Sequence, residues 1–215
     1  MKEIKAVIFD LDGTIANTLP LCIQAFRQSI EPLIHRSVTD EEIIATFGPS
    51  EEGTIMALAS DHYDKGVADY LHFYQALHGM CPSAFEGIEE LLQLLKSNAV
   101  HIAMVTGKGK YSTAISLSQF ALSHFFESIE TGSAAGPRKA EGIRAVADLW
   151  KDIKNEAIIY VGDAPADIAA SRTAGIRIVA ASWAATAEPE KLKALQPDQL
   201  FYTIDEFTNW IRGRI

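Results

Sequence analysis

Four short apolar runs punctuate the chain, and each closes at or near polar or glycine residues. Ala6-Val7-Ile8-Phe9 ends at Asp10-Leu11-Asp12-Gly13-Thr14, and His101-Ile102-Ala103-Met104-Val105 ends at Thr106-Gly107. Ala157-Ile158-Ile159-Tyr160-Val161 ends at Gly162-Asp163, and Ile176-Arg177-Ile178-Val179-Ala180 ends near Ser182-Trp183. Their length, β-branched content and lack of alternation predict strands buried on both faces. Helical periods lie between them, over Ile88 to Leu95, Glu141 to Leu149 and Asp167 to Ala174, the last stopped by Gly175 as a C′ glycine. Strand and helix alternate, which predicts an α/β fold with a mainly parallel sheet.

From Asn17 to Pro82 the rhythm changes. No strand-like run occurs there, and the pattern predicts helices over Leu19 to Ile34, Asp40 to Thr46, Glu51 to Ser60 and Tyr63 to Leu77. Thr39-Asp40-Glu41-Glu42 reads as a helix start with acids in its first turn, and Gly48-Pro49-Ser50 reads as a turn. Asn17 offers a capping oxygen to the first of these helices. The expected organisation is a core of residues 1–16 and 83–215, interrupted by an all-helical insertion over 17–82.

Composition narrows the partners. The 215 residues are 48% hydrophobic and 22% charged, which is ordinary for a globular chain. Nineteen Lys and Arg against 28 Asp and Glu leave a net charge of −9, which argues against nucleic acid and against an anionic membrane surface. No apolar run approaches the ~18 residues of a membrane span. The N-terminal run meets Asp10 too early for a signal peptide. Cys22 and Cys81 lack a CxxC spacing and read as reduced thiols, so the expected location is cytoplasmic.

Candidate chemistry gathers at the strand ends, where parallel α/β sheets bind ligands. Asp10 and Asp12 stand two residues apart after the first strand, suited to a nucleophile and an acid/base. Close carboxylates repel and favour a divalent cation between them, and Gly13 allows close backbone approach. Asp163 and Asp167 follow another strand and can complete an oxygen site for Mg²⁺, although Asp167 can equally serve as a helix cap. Thr106 and Gly107, at a helix start, offer a hydroxyl and free N–H groups to an anion, and Lys139 can offset phosphate charge. The full phosphate-loop and dinucleotide fingerprints are absent.

These motifs make the chain resemble the haloacid dehalogenase superfamily, in particular its phosphoglycolate phosphatase-like branch with a helical cap. Asp10-Leu11-Asp12-Gly13-Thr14, Thr106, and Gly162-Asp163 through Asp167 carry the likeness, which spans essentially the whole chain. The resemblance implies a Rossmann-like core and a Mg²⁺-dependent phosphatase acting on a small phosphorylated metabolite through an aspartyl-phosphate. Asp10 then resembles the nucleophile and Asp12 the general acid and base. Thr106, Gly107 and Lys139 resemble the phosphoryl-binding groups. Asp163, the Asp10 carboxylate and the Asp12 backbone carbonyl resemble the Mg²⁺ ligands, with Asp167 as a direct or water-mediated contact. Three features depart from the pattern. Lys139 falls about two positions late relative to its helix, so Arg138 is an alternative; Asn17 replaces an acid; and Gly107 stands where a polar side chain is common.

In the resemblance, the loop Phe47-Gly48-Pro49-Ser50-Glu51-Glu52-Gly53 matches the cap specificity loop, which makes Gly48 and Ser50 substrate candidates. It has no Arg/Lys cluster for a second phosphate, which favours a phosphatase over a sugar-phosphate mutase. Tyr74 and His78, four apart on a helix, line the pocket or simply pack; Arg27 is a similar candidate. His62-Tyr63-Asp64 reads as a surface turn and Trp183 as structural. An inorganic pyrophosphatase is an alternative, since Phe47-Gly48-Pro49 also looks like that subgroup. A non-catalytic phosphometabolite-binding module is another, supported only by the displaced Lys139. The substrate and the oligomeric state stay open.

Overall fold

The computed structural model describes residues 3–215. One parallel sheet contains β1 (Ala6–Phe9), β2 (His101–Val105), β3 (Ser128–Glu130), β4 (Ile158–Gly162), β5 (Arg177–Ala181) and β6 (Gln199–Phe201). Their order is β3-β2-β1-β4-β5-β6. The segment after β1 carries the helices α1 (Leu19–Ile34), α2 (Asp40–Ile44), α3 (Glu51–Ala59) and α4 (Tyr63–Ala76). The remainder supplies α5 (Ile88–Ser97), α6 (Lys110–Gln119), α7 (Lys139–Leu149), α8 (Pro165–Ala174), α9 (Pro189–Ala194) and α10 (Ile204–Arg212).

Helices on both faces explain why β1 and β4 are buried along their whole length and show no alternation. On one face Val7, Phe9 and Met104 pack with Leu91 of α5 and Phe207 of α10. On the other, Ile8 and Tyr160 pack with Ile143 of α7 and Ile168 of α8. The helical segment has a core of its own, built from Phe26, Ile30, Ile43, Ile55, Tyr70 and Tyr74. No helix among the described residues is long and apolar enough to cross a membrane.

Differences from the sequence expectation are local. The third and fourth predicted strands begin and end one residue later, and α7 starts at Lys139 rather than Glu141. Strands β3 and β6 escape the pattern because each has only three residues and lies at a sheet edge, half-buried or exposed. Helices α9 and α10 were likewise not anticipated, although Thr203 and Glu206 form a capping box that announces α10. Asn17 does not cap α1. Thr18 occupies that place, and its hydroxyl goes to Asp12 instead of the helix. The Asn17 oxygen faces Thr186, whose hydroxyl lies 3.5 Å away. Thr39 does cap α2, with Glu42 completing the box. Gly175 takes φ 75° after α8, the left-handed position a C′ glycine fills without strain.

Candidate active site

Strands β2, β1 and β4 are neighbours, and their carboxyl ends deliver Thr106, Asp10 and Asp163 to one place. The chain moves from β1 to β2 on one side and to β4 on the other, so the strand order reverses there, where open α/β sheets bind ligands. Gly13 brings the loops together. At φ 74° a Cβ would stand 1.9 Å from Asp163 Oδ2, so no other residue fits without displacing that carboxylate.

Asp10, Asp163 and Asp167 present oxygens that all lie within 4.8 Å of one another. Burial pushes the Asp10 carboxyl up from the ordinary 3.8 to about 7, with Lys139 opposing and Asp167 and Asp12 adding to the rise. Burial, then Asp167 and Asp10, hold the Asp163 carboxyl well above its ordinary range. Asp10 Oδ1 is buried with no hydrogen-bond partner. Crowded carboxylate oxygens with one orphaned acceptor suit a hard divalent cation such as Mg²⁺. Lys139 already supplies one positive charge: its ammonium lies 2.8 Å from Asp10 Oδ2 and 2.6 Å from Asp167 Oδ1. Burial opposes the Lys139 charge, yet Asp10 and Asp167 keep it above the ordinary lysine range.

Asp167 is fully engaged elsewhere. Its Oδ1 also accepts from the Tyr160 hydroxyl at 3.0 Å, and its Oδ2 from the Ala164 N–H at 2.9 Å. It therefore positions Lys139 and closes the first turn of α8. Arg138 turns away, to Glu130 at 3.0 Å and the Thr131 carbonyl at 2.8 Å. Thr106 is buried and its hydroxyl accepts from the Lys108 N–H at 3.2 Å. Gly107 stands beside Lys139, where a Cβ would lie 3.6 Å from Lys139 Cε.

Asp12 does not join the carboxylate cluster through its side chain. Its Oδ1 lies 3.1 Å from the Lys108 ammonium and accepts from Thr18. Lys108, which the sequence does not single out, lines the cavity beside Asp12. It is 3% exposed at the side chain, 3.0 Å from Cys22 Sγ and 4.6 Å from the centre of the Tyr74 ring. Burial opposes its charge, but Asp12 and Cys22 hold it well above the ordinary range, while burial takes Cys22 up to about 11. Nothing in Thr106-Gly107-Lys108-Gly109-Lys110 says which lysine turns inward. Glu51 was missed too. It is 5% exposed, and its carboxylate accepts from the Gly109 N–H at 2.6 Å and from the Ser112 hydroxyl, tying α3 to the start of α6.

A cavity of about 690 Å³ opens over this cluster, between the sheet ends and the helical segment. Asp10, Asp12, Thr106, Gly107, Lys139 and Asp163 line its floor, and Gly48 lines its rim. Ser50, Tyr74 and His78 do not line it. Ser50 is buried, with its N–H on the Ser133 carbonyl. Tyr74 and His78 converge on the Ser116 hydroxyl of α6, at 2.7 and 3.0 Å, and so pack the helical segment against the core. Arg27 pairs with Asp40 and holds α2. His62 ends an exposed 3-10 turn, but Tyr63 and Asp64 are the first residues of α4 rather than part of that turn; Trp183 donates to the Thr14 carbonyl at 3.0 Å, a structural role.

Residues 7–181 match the family described as haloacid dehalogenase-like hydrolase. The PpaX protein of Caldanaerobacter subterraneus subsp. tengcongensis is 30% identical over 214 residues, covering 98% of this chain and 96% of its own length. The pyrophosphatase PpaX of Bacillus mycoides is 28% identical, with 96% and 95% covered. Among solved structures, the haloacid dehalogenase-like family protein SP0104 of Streptococcus pneumoniae has a TM-score of 0.73 at 26% identity, covering 96% of this chain and 98% of its own. CbbY of Rhodobacter sphaeroides, in complex with phosphate, has a TM-score of 0.78 at 19% identity, covering 95% and 96%. With the strand-end carboxylates in place and the match running through nearly the whole chain, the protein belongs to the haloacid dehalogenase-like hydrolases, as an enzyme of their phosphatase branch.

Proposed function

We propose that the chain is a Mg²⁺-dependent phosphatase that hydrolyses a small phosphomonoester through an aspartyl-phosphate on Asp10, with residues 17–82 acting as a cap. One observation carries this reading: Asp10 is buried at the floor of the cavity, held by Lys139 and faced by Asp163. Asp10 and Asp163, with the Asp12 backbone carbonyl, would hold Mg²⁺, which supplies positive charge to the phosphoryl oxygens and lowers the Asp10 pKa. A carboxylate oxygen of Asp10 attacks phosphorus, and the P–O bond to the alcohol breaks. Asp12 gives its proton to the departing oxygen, so the alcohol leaves neutral. Asp12 then takes a proton from water as that oxygen attacks the aspartyl-phosphate, returning Asp10 as carboxylate and releasing inorganic phosphate. Asp12 would act through its second oxygen, Oδ2, while Oδ1 keeps Lys108 and Thr18 as partners. The Lys139 ammonium, the Thr106 hydroxyl and the Gly107 N–H orient and neutralise the phosphoryl group.

The PpaX relatives favour a second reading, inorganic pyrophosphatase, in which the leaving group is phosphate. A panel of phosphomonoesters and pyrophosphate with Mg²⁺ tests both. Turnover is expected, with loss on EDTA and in Asp10→Asn; no turnover across the panel overturns the enzymatic proposal. Asp12→Ala is expected to slow alkyl phosphates far more than p-nitrophenyl phosphate, whose phenolate leaves without a proton. Equal losses reject the acid role.

A further inference from the structure

The cavity extends well beyond the phosphoryl site, and its upper wall differs in character from its floor. Phe47, Phe26 and Tyr70 line it as a run of rings, with centroids 6.0 Å apart for the first pair and 4.3 Å for the second. Phe26 and Tyr70 are 3% and 1% exposed, held rigid in the core of the helical segment, while Phe47 is 40% exposed at the edge. Leu19 continues the same surface. A cavity of about 690 Å³ lies in the range of small-molecule sites whose walls are mostly apolar.

The charges point the same way. Among the described residues lining the cavity, the cations are Lys108 and Lys139, against Asp10, Asp12, Glu51 and Asp163. Lys139 is engaged by Asp10 and Asp167 at the phosphoryl site. Lys108 is engaged by Asp12. A second anionic group carried by the substrate would therefore enter a space with Asp12 and Glu51 on its walls and no uncommitted lysine or arginine lining it. Desolvating such a group without a partner is costly.

Resting on the phosphatase reading above, we infer that the substrate is the phosphomonoester of an uncharged alcohol with a planar, apolar body, and that Phe47 helps select it. The ring packs on Phe47, which the buried Phe26 and Tyr70 back, and the single phosphate reaches Asp10. The inference separates this chain from the pyrophosphatase activity carried in the name of its Bacillus relative.

The test compares kcat/KM for benzyl phosphate, methyl phosphate, phosphoglycolate and pyrophosphate in Mg²⁺. It is paired with calorimetric binding of 2-phenylethylphosphonate and 3-phosphonopropionate, non-hydrolysable counterparts of the first and third. Benzyl phosphate is expected to exceed methyl phosphate by at least tenfold, with phosphoglycolate and pyrophosphate below both. The phenylethyl ligand is expected to bind at least tenfold tighter than the propionate. Phe47→Ala, a change at a partly exposed side chain that the fold tolerates, is expected to cut the benzyl-to-methyl ratio about fivefold, through KM. A preference for pyrophosphate or phosphoglycolate, tighter binding of the propionate, or an unchanged ratio in Phe47→Ala overturns the inference. If no ester turns over but the binding order holds, the phosphatase reading falls and the assignment of the apolar wall stands.

Discussion

Replacing Asp10 by asparagine should stabilise the metal-free protein at mildly alkaline pH while removing activity. Asp10 is 4% exposed, and its carboxyl is pushed up from 3.8 to about 7, chiefly by burial. A carboxyl with a higher pKa in the folded chain keeps its proton longer there than in the unfolded chain. Its contribution to stability is complete below about pH 4 and is lost as pH rises through about 7. The rise is roughly three pKa units, which at ~1.36 kcal/mol each gives an upper bound of about 4 kcal/mol. Asparagine has the same shape, still accepts from Lys139, and does not ionise. In a chain of this length ~1 kcal/mol moves Tm by about 2–4 °C, so Asp10→Asn should melt about 5–15 °C higher than the parent at about pH 8 in EDTA. The gain should shrink towards zero near about pH 4, and Mg²⁺ should narrow it by stabilising the parent. Melting or urea curves at several pH values, with EDTA or Mg²⁺, read all of this. No gain at about pH 8, or the same gain at about pH 5, would refute the claim that a buried, charge-crowded Asp10 costs stability for the sake of function.

Lys139→Met should lower kcat/KM by at least ~100-fold, since it removes the cation at the phosphoryl site, whereas Arg138→Ala should keep activity within a few fold; steady-state kinetics would show the reverse if Arg138 carried the role. Without EDTA or Mg²⁺ present in excess, the same Lys139→Met change should also destabilise the fold by about 3–5 kcal/mol at neutral pH, because buried carboxylates lose their partner, a loss read from urea unfolding. Gly13→Ala should abolish turnover and weaken Mg²⁺-induced thermal stabilisation, since its Cβ would stand 1.9 Å from Asp163 Oδ2; unchanged metal response would contradict that geometry. Glu51→Ala should cost about 1–3 kcal/mol by leaving the Gly109 N–H and the Ser112 hydroxyl without their acceptor, which denaturant melts can check.

Much of the catalytic frame was legible because it is local. Strands covered on both faces need continuous apolar runs, so Ala6 to Phe9 and Ile158 to Val161 announce themselves, and the residues that follow are carried to the same sheet edge by parallel pairing. Helix periods and caps placed α1 to α4 and the Thr39 start for the same reason: their signals lie within a few residues. The edge strands β3 and β6 left no such signal, being short and only partly covered.

What only the tertiary structure decided are contacts between positions far apart in the chain. Adjacent Arg138 and Lys139 offer the same charge, yet they diverge, one to Glu130 and the other across 129 residues to Asp10. Lys108, rather than its neighbour Lys110, turns inward to meet Asp12 and Cys22. Tyr74 lies in the last turn of α4 and His78 just beyond that helix, in a 3-10 turn, and both meet Ser116 rather than the cavity, which is left to Tyr70. Periodicity says which residues share a face. Only packing against the rest of the chain says what that face touches, and for buried charges the partner reached decides between a structural ion pair and a site for chemistry.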